Sequence, residues 1–90
     1  MIQIIKIDDT DYQGNYLIFP QMTDGSYLIE NKNYEKLGTI EKERVGAWMS
    51  WVLYLESFCY LSAGCLDEVR EMIKILNAKD SQLKSEDKKA

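Results

Sequence analysis

Three carboxylates, Asp8, Asp9 and Asp11, crowd one short stretch near the start of the chain. The run 9–15 (DTDYQGN) opens like a calcium loop, in which alternating oxygen ligands lead to a glycine at a sharp turn. The pattern then fails. Gln13 departs from it, Pro20 stands where a bidentate Glu would close the shell, and no helical pattern precedes it. The stretch therefore reads as a polar turn. Its clustered charge offers a second use, imitation of nucleic-acid phosphates inside a partner's basic cleft. Cys59 and Cys65 are the only thiols, and the chain contains no histidine. Neither thiol has an imidazole to activate it, and no residue set has zinc-site spacing. Six positions apart on a continuous helix they would lie about 240° apart around the axis, so they read as reduced thiols. No phosphate-cradling glycine loop and no nucleophile elbow is present. Tyr12, Tyr16, Tyr27 and Tyr34 are not interleaved with basic residues, which argues against base stacking. These features predict a protein without catalytic activity, metal or cofactor.

Composition narrows the partners. Ninety residues make one domain, and 46% hydrophobic content is enough to build a core. Fifteen acidic against eleven basic residues give a net charge of −4, the wrong sign for a phosphate backbone. The opening MIQIIKIDD lacks the basic segment and the unbroken apolar run of a signal peptide, which predicts a cytoplasmic protein. The stretch 45–66 is long enough to cross a bilayer. Glu56 near its middle, and the Trp, Tyr and Ser that dilute it, argue against a span.

The elements follow from hydrophobic patterning. Residues 2–7 (IQIIKI), 16–22 (YLIFPQM) and 27–30 (YLIE) read as strands, with Asp24-Gly25 as a hairpin turn between the last two. The connection 31–38 has room for a short fourth strand. From Thr39, a plausible N-cap, the period reads as helical through 40–62, with Gly64 as the stop. A second helix over 66–78 carries the stripe Leu66, Val69, Ile73 and Leu76. The tail 79–90 is polar and reads as disordered. The predicted architecture is α+β: a single domain over 1–78, in which an antiparallel sheet of three or four strands packs against a C-terminal helical hairpin.

On the first of these helices, Trp48, Trp51, Val52, Tyr54, Leu55, Phe58 and Cys59 fall on one arc, a core face. Met49, Leu53, Glu56 and Tyr60 fall on the other, with the i, i+4, i+7, i+11 spacing of a seam. Either the second helix covers this seam or another molecule does. Glu56 is either a carboxylate at the solvent edge or an interfacial one that fixes register. The strands 16–19 and 27–29 are apolar on both faces, so the chain has more apolar surface than one pair of helices covers.

The expected function is that of a small acidic interaction protein. It would bind and block another protein, or self-associate as a homo-oligomer. The contact residues are Met49, Leu53, Glu56 and Tyr60 and the acidic group Asp8, Asp9 and Asp11. By class analogy alone, phage and mobile-element inhibitors of the anti-CRISPR type share this character. One alternative is a homo-oligomer with a nucleotide pocket between subunits, where Arg44 or Arg70 would reach a phosphate. Another is a structural subunit of a larger assembly.

Overall fold

The structure, a computed structural model, describes residues 2–57 and 59–89, with side chains described up to Asp80. Six strands run β1 (Ile5–Lys6), β2 (Tyr12–Gln13), β3 (Leu17–Phe19), β4 (Tyr27–Asn31), β5 (Lys36–Val45) and β6 (Trp48–Leu55). One helix, α1 (Ala63–Lys89), follows. The strands form a single antiparallel meander in chain order, so β1 and β6 are its two edges.

Alternation makes the core. Leu17 and Phe19 of β3, Tyr27 and Ile29 of β4 and Ile40 of β5 all turn to one face and are buried. α1 lays Val69, Met72 and Leu76 over them, at the i, i+3, i+7 spacing of a single helical stripe. Burying each such side chain contributes about 1.5–3 kcal/mol relative to leaving it exposed. Tyr27 links the two halves of this layer. Its ring meets Tyr12 and Trp51 edge-on, at centroid distances of 5.9 and 5.8 Å.

The helix crosses the sheet obliquely. Near its start, Glu68 meets the turn between β2 and β3. Farther along, Asp80 meets Trp51 of β6 and Lys42 of β5.

The sequence reading needs correction over 31–62. The sheet has six strands instead of three or four, and a single helix replaces the helical hairpin. Of the segment read as a helix over 40–62, residues 40–55 belong to the long hairpin of β5 and β6, paired from Gly38 with Leu55 through Val45 with Trp48. Thr39 is not a helix cap. It is buried within β5, and its hydroxyl donates to Glu41 at 2.6 Å. The reversal is made at Gly46-Ala47, where Gly46 has φ 64°. A two-residue hairpin with glycine at its first central position is the type II′ arrangement, which matches the twist of the flanking strands. The arc of Trp48, Trp51, Val52, Tyr54 and Leu55 is therefore divided between the two faces of a strand. Phe58, assigned to the same arc, lies outside the described residues. Among the described residues of the stretch 45–66, Trp48–Leu55 form β6 and only residues 63–66 belong to a helix, the start of α1; among the described residues no helix is long and apolar enough to cross a membrane. α1 continues through 79–89, the stretch read from its composition as a disordered tail.

Candidate functional site

β4 pairs with β5 only between Lys36 and Ile40. Beyond that point residues 41–45 and 48–52 pair solely with each other and project as a two-stranded arm. The arm is fastened at its base. Asp80 Oδ2 accepts the Trp51 indole N–H at 3.0 Å and takes the Lys42 ammonium at 2.9 Å. Lys42 Nζ also lies 6.0 Å from the centre of the Trp51 ring. At the tip the apolar side chains stand open. Trp48 is 73% exposed, with Val45 opposite it and Met49 beside it, each about half exposed. An indole left this open is unusual, because aromatic side chains usually bury large area.

The outer edge of β6 is the second feature. In a two-residue hairpin the flanking pair, here Val45 and Trp48, exchanges both backbone hydrogen bonds, and bonded and non-bonded pairs alternate from there. The Glu56 N–H donates to the Leu37 carbonyl at 2.8 Å, which continues this alternation to the far end. The main-chain groups of residues 48, 50, 52 and 54 therefore face β5. Those of Met49, Trp51, Leu53 and Leu55 point away from the sheet. Among the described residues none supplies a partner for them. From Trp48 to Leu55 the strand carries no charge, no proline and no glycine. Natural edges are ordinarily protected by those devices.

The structure brings together only some of the residues read from the sequence. Met49 and Leu53 share one face of β6; Leu53 packs against the core and Met49 stays half-exposed at the arm. Glu56 lies one residue past the strand, where it pairs with Lys36 at 2.9 Å in the open. Tyr60 is 87% exposed in the connection to α1. The four do not form a seam, because a strand does not bring i, i+7 and i+11 to one side. Trp48, Val45 and Leu55 are the exposed residues that the helical reading assigned elsewhere or passed over.

Asp8, Asp9 and Asp11 lie in the loop between β1 and β2, and two of them serve the chain's own turns. Asp8 Oδ1 accepts the N–H groups of Thr10 and Asp11 at 2.8 and 2.6 Å. These bonds, that from Thr10 foremost, hold its carboxyl below the usual range. Asp11 Oδ1 accepts the Gln21 N–H at 3.0 Å. Among the described residues no cluster of carboxylates or thiols is placed to hold a metal. Cys59 and Cys65 are both free and half-buried. Arg44 belongs to the arm, whereas Arg70 lies on α1, 3.9 Å from Asp67. An open groove of about 470 Å³ runs past Arg70 and Lys74, but Asp67 and Glu71 share it, so its formal charges cancel and it does not select a phosphate.

Glu68 is a polar residue whose role was not visible in the sequence. It is 1% exposed. Its two oxygens accept the successive N–H groups of Asn15, Tyr16 and Leu17 at 2.9–3.2 Å. A Cβ on Gly14 would overlap Oε1, so glycine there lets the turn close on the carboxylate. This buried cluster is structural: it ties the β2–β3 turn to the helix.

No protein-family model, no curated protein and no solved structure matches this chain.

Proposed function

We propose that this chain is a non-enzymatic interaction protein that binds another protein chain by strand addition along β6, with the arm tip as a side-chain anchor. The outward main-chain groups of Met49, Trp51, Leu53 and Leu55 support this reading above all else. Unpaired donors and acceptors in a row are a template for an extended segment, and flanking pockets and side chains add selectivity. Tryptophan, as at position 48, is a residue type that dominates binding energy at interfaces, and methionine, as at 49, is enriched there. The action is steric: whatever strand pairs with β6 is sequestered. The two free thiols suit the cytoplasm.

The test uses immobilised full-length protein and a variant with Met49→Lys and Leu55→Lys, both exposed positions on the edge. A protein retained from host lysate by the wild type and lost from the variant, at equal melting temperature, is the expected result. The same chain held equally by both, or a wild type that pairs with neither a foreign chain nor a second copy of itself, overturns the reading.

A further inference from the structure

The edge of β6 is complementary to itself, and we infer that its occupant is β6 of a second copy, paired antiparallel about a two-fold axis through Val52. This rests on the proposed role of the edge as a strand-addition site and names the strand that fills it.

The argument is one of register. Outward main-chain groups belong to 49, 51, 53 and 55, so a bonded pair must join odd with odd. One arrangement gives the longest overlap, and two tie behind it. Centring on Val52 pairs Met49 with the second copy's Leu55, and Trp51 with its Leu53. Every outward group is then used, in about eight backbone hydrogen bonds. Centring on Trp51 or on Leu53 forms about six; the first sets two Trp51 rings against each other and strands Leu55 outside the ladder, and the second strands Met49.

Side chains favour the same register. On the helix side, Met49 meets Leu55 and Trp51 meets Leu53, apolar with apolar. On the other side Val52 meets Val52, and Ser50 meets Tyr54. The exposed indole of Trp48 falls opposite the half-exposed Glu56, a donor facing an acceptor. Charge is also compatible. Each copy has net charge −4, yet they meet along a strip with no formal charge from Trp48 to Leu55. Like charges facing each other, which destabilise a strand pair, do not arise within it. The product is a continuous sheet of twelve strands, twice the six of one copy, with both helices on one face. Such a closed, isologous pairing leaves open the short β1 edges and the outer side of residues 41–45, which Glu41, Lys42, Glu43 and Arg44 keep charged.

Residues 49 and 55 lie about 20 Å apart along one strand, but opposite each other across the two-fold axis. This makes a charge swap diagnostic. Light scattering coupled to size exclusion is expected to give the wild type twice 10.5 kDa. The variant Met49→Lys with Leu55→Lys sets Lys against Lys at both ends and is expected to run at the single-copy mass. The variant Met49→Lys with Leu55→Glu restores opposite charges and is expected to return to the double mass. Circular dichroism and melting curves establish that each variant folds. A second probe does not depend on surface charge. Val52→Cys, with Cys59→Ser and Cys65→Ser, places two thiols at the axis in a closely spaced non-bonded pair. Mild oxidation is expected to convert most of the chain to a covalent dimer.

A single-copy mass for the wild type overturns the inference, as does a double mass retained by the Lys/Lys variant or a Lys/Glu variant that stays single. The broader reading of the edge is judged separately. A single-copy wild type that still retains a host protein lost from the Lys/Lys variant points to a foreign strand instead.

Discussion

The two edges of the sheet are built on opposite terms. The β1 edge is two residues long, contains Lys6, and leads into a loop closed by the Ile7 N–H donating to the Asp11 carbonyl at 3.0 Å. Shortness and a lysine are the ordinary means of keeping a sheet from growing. The β6 edge is eight residues long and wholly uncharged. The helix is anchored differently at the two sides as well. Near β1 it holds the sheet through a carboxylate buried among three backbone N–H groups. Near β6 it holds the arm through Asp80, whose ion pair with Lys42 is part-exposed. One side is locked and blunt. The other is lightly held and open.

The largest effect should come from cutting the locked side. Glu68→Ala leaves three buried or half-buried N–H groups without an acceptor, at a cost of about 3 kcal/mol. For a domain of this size that lowers the melting temperature by roughly 10–20 °C. A shift of a degree or two would mean that water replaces the carboxylate readily and that the two sides are alike. Asp80→Ala is expected to cost about 1 kcal/mol, because it removes one indole hydrogen bond and a part-exposed ion pair. Its mark should be local. Amide exchange should quicken across residues 41–45 and 48–52, with little change in β3 and β4.

The contrast between the sides also separates what the sequence could reveal from what it could not. The hairpin of β3 and β4 was legible because Asp24-Gly25 is a strong turn signal and short apolar runs flank it. The helix stripe Leu66, Val69, Ile73 and Leu76 was legible in part from its spacing: Val69 and Leu76 are buried against the sheet, Ile73 is half-buried and Leu66 is exposed. The open side was misread as a helix. Seven of the eight residues in 48–55 are apolar, so apolar residues recur at every spacing and a period of 3.6 fits as well as a period of 2. Two signals pointed to strands. Glu41, Lys42, Glu43 and Arg44 alternate in sign with period 2, and Gly46-Ala47 separates two runs as a hairpin loop does. Glu68 carried no signal of its role. Its real partners lie 51–53 residues earlier, and no local pattern announces such a contact.

Tyr27 joins the two sides and gives a pH test of that junction. Burial, chiefly, with the nearby Tyr12, Asp11 and Asp80, raises its phenol above the usual range. A raised value means that the folded chain holds the proton when the unfolded chain has released it. The stabilisation is thus intact below about pH 10, the unfolded value, and fades as pH rises from there through the folded value. Urea midpoints should fall with increasing pH in that window for the wild type, and fall less for Tyr27→Phe. Equal slopes would mean that the junction opens to water at high pH.

The smallest effect is expected at the blunt edge, and it completes the comparison. Ile5 is 50% exposed on β1, much as Leu55 is 44% exposed on β6. Exposure alone would therefore rank the two as equally adhesive. Backbone separates them: β1 offers too few main-chain groups to seat a strand, whereas β6 offers an unbroken row. Ile5→Lys should change stability by no more than about 0.5 kcal/mol and leave the mass in light scattering unchanged, while Leu55→Lys weakens association. If Ile5→Lys disperses the protein as Leu55→Lys does, then apolar surface rather than unpaired backbone governs association, and the two edges differ in length but not in kind.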